Sequence, residues 1–275
     1  MGPLVDAATL REELGSVAVL DVRWMLGRDD GLEQYRAGHV PGAAYVDLEA
    51  DLADPPGAGG RHPLPEVRRF GAAMRAAGVP AARPVVVYDD WGARSAARCW
   101  WLLRHHGHPD VRVLDGGWGA WQAAGLPAET GDPSVPTGDF VPDGPSLPVV
   151  DAATVGRVAE EGVLLDARAP ERYRGEVEPV DPVAGHIPGA RNVPTGANLD
   201  GDGRFRPAAE LREVYAAALA SGGPVAVYCG SGVTATHDLL ALEMLGVRAA
   251  LYPGSWSEWV TDPARPVSRC GRSRT

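Results

Sequence analysis

The chain contains itself twice, and this constrains its fold more than any other feature. The first copy runs from VLDVR around Asp21 through GHVPGA (38–43), VVVYDDWGARS (85–95) and LDGGWGAW (114–121). The second runs from LLDAR around Asp166 through GHIPGA (185–190), VAVYCGSGVTA (225–235) and GSWSEW (254–259). His39 pairs with His186, Asp21 with Asp166, and Trp121 with Trp259. A repeat of this length is a duplicated domain, not a solenoid unit, because each copy is long enough to bury its own core.

Within each copy, short apolar runs alternate with helical patterns. VAVLDV (17–22), PVVVYD (84–89) and VRVLDG (111–116) read as buried strands, and so do VLLDAR (163–168), VAVYC (225–229) and AALYPG (249–254). Stretches 65–78, 94–107 and 208–221 carry helical periodicity. The alternation predicts an α/β fold in which each domain is a mostly parallel sheet with helices on both faces. Segment 129–148, rich in Pro, Gly, Asp and Ser, reads as a linker between domains 1–128 and 149–262. The tail 263–275 has four Arg and no apolar pattern, so it is expected to be disordered, with Cys270 incidental.

The copies differ at one position that matters. Cys229 follows the apolar run Val225 to Tyr228, in a small glycine-containing turn that leads into a helical pattern near Thr234. Such a turn aims backbone N–H groups at one spot beside the positive end of the helix. A cysteine there is expected to ionise readily and act as a nucleophile. A buried structural cysteine is the plainer alternative. Gly230 and Gly232 favour the reactive one, since they let backbone wrap closely around a bound group. The first copy has Asp89 in place of Cys229, and DDWGARS in place of CGSGVTA. That copy is expected to be inert and to lack the anion-cradling turn.

Composition narrows the function classes. The net charge of −10 speaks against nucleic acid as a partner. No apolar run is long enough to span a bilayer, and the N-terminus has no basic region followed by an apolar stretch. Three widely spaced cysteines do not make a disulfide framework. A working thiol suits a reducing compartment, and the cytoplasm is the expected location. HHGH (105–108) could suggest a metal, but no carboxylate or cysteine cluster completes a site. A helix end with basic residues explains it more simply. Neither metal nor cofactor is expected.

GHVPGA, GRHPLP (60–65), LDGGW (114–118), GHIPGA, CGSGVTA and GSWSEW, taken in this order, resemble the two-domain rhodanese family of thiosulfate and 3-mercaptopyruvate sulfurtransferases. The resemblance runs from about Val5 to Val260. It implies a relay in which a small anionic donor hands sulfane sulfur to Cys229. A thiol, a thioredoxin-like protein or cyanide then removes it from the persulfide. It also implies that Arg172, Gly230, Ser231, Gly232, Val233 and Thr234 bind the donor. A guanidinium suits a carboxylate or sulfonate because it offers a planar fork of donors. A surface arginine is the bland reading and fits Arg174 equally well; the resemblance selects Arg172. Ser231 could equally be an ordinary turn or helix-start residue.

The resemblance further suggests a serine–histidine–aspartate relay, onto which Ser231, His39 and Asp30 would map. Against this, His39 and His186 recur in GHxPGA of both copies. Asp21 with Arg23 recurs as Asp166 with Arg168. Features retained in an inert copy read as structural. The small neutral residues after Cys229 resemble the mercaptopyruvate type. However, the second arginine expected nine residues beyond Arg172 is absent, and Asp181 stands there. Thiosulfate is therefore the alternative donor. Two remoter classes are a phosphatase of the same fold and a non-catalytic redox or sulfur-binding module. The phosphatase loop would need an arginine six residues after Cys229, where the chain has Ala235.

Overall fold

A computed structural model describes residues 2–270. The described residues form two compact units: 2–54, 64–147 and 201–205 in one, 55–63, 148–200 and 206–270 in the other. Two short segments pack across the expected boundaries. Segment 55–63 packs with the second unit, and 201–205 with the first.

The first unit holds strands β1 (Leu4–Val5), β2 (Ala18–Asp21), β3 (Ala44–Tyr45), β4 (Val85–Tyr88) and β5 (Val111–Leu114) in the order β1-β5-β4-β2-β3. The second holds β6 (Val163–Asp166), β7 (Arg191–Asn192), β8 (Val225–Tyr228) and β9 (Ala249–Leu251) in the order β7-β6-β8-β9. Every pair is parallel. Such a sheet must be covered on both faces, and the strand residues show it. Leu164, Ala226, Tyr228 and Ala250 share a core with Val155, Ile187, Trp256 and Trp259. Val163, Leu165, Val227 and Leu251 alternate with them along the strands and are equally buried.

The repeat is visible as one device used twice. Asp21 lies opposite Tyr88 in register, and Asp166 opposite Tyr228. Arg23 forks onto Asp21 and donates to the Gly38 carbonyl at 2.6 Å; Arg168 forks onto Asp166 and donates to the Gly185 carbonyl at 2.6 Å. Tyr88 accepts the Val40 N–H at 3.0 Å, and Tyr228 the Ile187 N–H at 3.1 Å. The GHxPGA loops are thereby tied to the central strands from inside. His39 stacks on Tyr35 and His186 on Tyr173, each with Nδ1 on that tyrosine's carbonyl.

Segment 129–148 has no helix or strand of its own but is fastened along the first unit. His39 and Glu129 exchange backbone bonds, Arg36 pairs with Asp132, and Phe140 is buried. The tail also departs from expectation up to Cys270. Ser268 and His186 exchange both backbone hydrogen bonds at 2.9 Å, which satisfies groups the GHIPGA loop would otherwise leave open. Residues 271–275 of the expected disordered tail lie outside the described residues. Among the described residues, no helix is long and apolar enough to cross a membrane.

The HHGH stretch does stand at a helix end, that of Ala96–His105, with His106 at the C-cap. Its imidazoles are buried, and each meets a main-chain carbonyl: Leu147 for His105, Asp143 for His106, Pro80 for His108. Burial pushes all three below the usual histidine value, His105 to about 4. A base that is harder to protonate folded than unfolded stabilises the fold above its unfolded value. That stability is lost as pH falls from about 6.5 towards about 4. The first unit should therefore lose thermal stability over this window. His105→Gln should flatten the dependence of Tm on pH there; an unchanged slope would exclude His105 as a contributor.

Candidate active site

Cys229 directly follows β8, the strand held between β6 and β9, and is 1% exposed. The turn after it folds back onto its sulfur: the Gly232 N–H points at Cys229 Sγ, 3.1 Å away. Gly232 has φ of +79°, and a side chain there would strike the Pro253 carbonyl, so only glycine fits. The helix Ala235–Met244 then begins, with Thr234 at its N-cap. The loop glycines, Ser231 and Val233 are buried with Cys229.

The GSWSEW turn supports the cysteine from behind. Ser255 accepts the Cys229 N–H at 3.1 Å and donates to the Tyr252 carbonyl at 2.9 Å. It does so in a left-handed backbone conformation, φ 54°, which is strained for a serine. The Trp256 N–H donates to the Cys229 carbonyl, and the Ser257 N–H to that of Gly230.

Arg61 and His62, from segment 55–63, also reach this loop, a placement that the sequence did not signal. His62 is buried, and its Nδ1 lies 2.7 Å from Ser231 Oγ. The imidazole beside Ser231 is thus His62, not His39. His39 is locked to Tyr35 in the first unit, where Asp30 pairs with Arg28 and Gln34. Arg61 donates its backbone N–H to Ser257 Oγ and its guanidinium to Asp181. The only sequence signal was GRHPLP itself, a motif with two basic residues and no assigned task.

Arg172 and Arg174 are separated by the structure. Arg174 pairs with Glu176 at the surface. Arg172 forks onto Glu178 at 2.6 and 3.2 Å and reaches Asp181 at 3.1 Å. Burial raises the Glu178 carboxyl, but Arg172 and the N–H groups of Asp181 and Val180 outweigh it and hold it below the usual range. A Cβ added at Gly230 would meet Arg61 Nη2 at 2.9 Å and Arg172 Nη1 at 3.6 Å. Two guanidiniums therefore border the residue next to Cys229.

The first unit corrects another expectation. Its loop does cradle an anion, namely its own. The Asp89 carboxylate accepts the N–H groups of Trp91, Ala93, Ser95 and Ala96 at 2.8–2.9 Å, and the Ser95 hydroxyl. The remaining cysteines are unlike Cys229. Burial pushes the Cys99 thiol far up, and Cys270 is exposed.

Residues 6–124 and 152–262 each match the rhodanese-like domain family. A Mycobacterium tuberculosis protein named as a thiosulfate sulfurtransferase, SseB, is 48% identical over 92% of this chain and 91% of its own. A Pseudomonas aeruginosa protein named as a 3-mercaptopyruvate sulfurtransferase is 47% identical over 95% of both chains. The crystal structure of SseA from Escherichia coli, a 3-mercaptopyruvate enzyme, superposes with a TM-score of 0.83 at 34% identity, covering 94% of this chain and 100% of that one. The chain belongs to the rhodanese family, as a tandem-domain sulfurtransferase.

Proposed function

We propose that Cys229 takes sulfane sulfur from 3-mercaptopyruvate and passes it, as a persulfide, to a thiol, a thioredoxin-like protein or cyanide. The Cys229 thiolate attacks the donor sulfur, and the new S–S bond forms as the C–S bond breaks. The bonding pair leaves on carbon, as the enolate of pyruvate, which must gain a proton. Sulfite leaving thiosulfate has no such need. The observation that carries this reading is Ser231 Oγ on His62 Nδ1 at 2.7 Å, a buried proton-bearing pair whose serine stands two residues beyond the nucleophile. Gly230, Gly232, Val233 and Thr234 shape the pocket around the donor, and Arg172 offers its free Nη1 to the carboxylate. The first unit is read as inert because Asp89 fills its cradle. A reducing, cytoplasmic setting fits a nucleophile that works as a free thiol.

Thiosulfate is the second reading. It is favoured by the two guanidiniums at Gly230, which suit a dianion. Steady-state rates with both donors decide. Mercaptopyruvate should show a kcat/KM higher by at least about tenfold, since repulsion of ~1.4 kcal/mol between a dianion and the thiolate suffices for that. Mass analysis after donor treatment should show one added sulfur atom. The opposite donor preference would transfer the assignment to thiosulfate.

A further inference from the structure

The side chains around the Cys229 loop form a closed charge set. Arg168 and Arg172 share Glu178, and Arg168 also holds Asp166. Arg61 and Arg172 share Asp181, one guanidinium on each carboxylate oxygen. Three cations thus meet three carboxylates. Asp181 is the member that joins both arginines bordering Gly230, and its side chain is 2% exposed. Its carboxylate sits where an anion would best be held by the two guanidiniums together. Arg61 is not saturated by it, since its Nε is buried without a hydrogen-bond partner.

We propose that Asp181 sets donor selectivity: its buried charge, spanning Arg61 and Arg172 beside Cys229, tolerates a singly charged donor and discriminates against a doubly charged one. The inference rests on the sulfur-transfer reading above. The physical reason is simple. A fixed negative charge acts twice as strongly on a dianion as on a monoanion, and a site shielded from water screens it poorly. Mercaptopyruvate brings one carboxylate; thiosulfate brings two charges. Without Asp181 the same two arginines would form a dianion site. The residue is therefore a selector built from the position where a further arginine was expected.

The test is the ratio of kcat/KM for thiosulfate to that for mercaptopyruvate. Asp181→Asn keeps the shape and an acceptor oxygen while removing the charge, and should raise the ratio about tenfold. The gain should shrink as salt rises. Asp181→Glu keeps the charge and should leave the ratio within about twofold of wild type. Arg61→Gln leaves the carboxylate in excess and should lower the ratio. An unmoved ratio in Asp181→Asn, with mercaptopyruvate still loading sulfur on Cys229, would overturn the proposal. Equal shifts from the Asn and Glu variants would do so too, since geometry rather than charge would then be at work. If Asp181→Asn fails to fold, Arg61→Gln decides alone, and a constant or rising ratio overturns the proposal. Wild-type protein that takes sulfur from neither donor would overturn the parent reading first, and this one with it.

Discussion

Cys229→Ser should abolish sulfur transfer while leaving the fold intact. The hydroxyl is nearly isosteric with the thiol, and the Gly232 N–H that points at Sγ can still find an acceptor. A serine oxygen cannot hold a sulfane sulfur as a persulfide, so the relay loses its carrier rather than a helper. Loss of a nucleophile is expected to cost on the order of 10⁶-fold in rate. Intact mass after donor treatment should show one sulfur on the wild type and none on the variant. Sulfur on Cys99, or wild-type-like turnover in the variant, would remove Cys229 from the role. Cys99 makes a poor substitute because burial keeps its thiol protonated.

The largest stability loss is expected from Arg168→Ala in the second unit and from Arg23→Ala in the first. Each arginine is buried, forks onto a fully buried aspartate and also holds a loop carbonyl. Arg168 lies over the Trp256 ring at 4.6 Å, and Arg23 over Trp118 at 5.2 Å. Truncation orphans a buried carboxylate and should cost about 3–5 kcal/mol. The orphaned Asp21 has an escape, since burial already pushes its carboxyl up and it can take a proton. Lysine should not rescue either site, because a point charge cannot fork. Denaturant unfolding, with hydrogen exchange on β6 and β8 or on β2 and β4, assigns the loss to a unit. A loss below about 1 kcal/mol would class the pair with ordinary surface ion pairs.

The strands were legible because a parallel sheet buried on both faces leaves unbroken runs such as VVVY and VAVY. Cys229 was legible for the same reason, standing where one run stops at a glycine turn. His62 was not. Its place depends on GRHPLP meeting GSWSEW, as when Arg61 donates to Ser257 across 196 residues of chain, and no local pattern encodes that. His39 has the same residue type in a repeated motif, but its ring is held on Tyr35. Asp89 is a different case. Its partners lie two to seven residues ahead, within reach of ordinary aspartate turn chemistry, so the signal is local and legible in DDWGARS. His105 and His106 are met by carbonyls within 143–147, whose composition reads only as linker. Asp181 looked like a lost arginine; its partner Arg61 came from a distant segment.

The placement of residues 55–63 with the second unit changes what the duplication means. Copying a gene segment produces two modules that can in principle be cut apart, shuffled or lost separately. Here that freedom has ended. The half that carries Cys229 is bonded to Arg61 and His62, which are encoded within the half that carries Asp89. The first unit in turn has absorbed residues 201–205 from the other half. The boundary of inheritance and the boundary of packing no longer coincide. A copy in this position lends residues to its neighbour's packing, which by itself ties the two together.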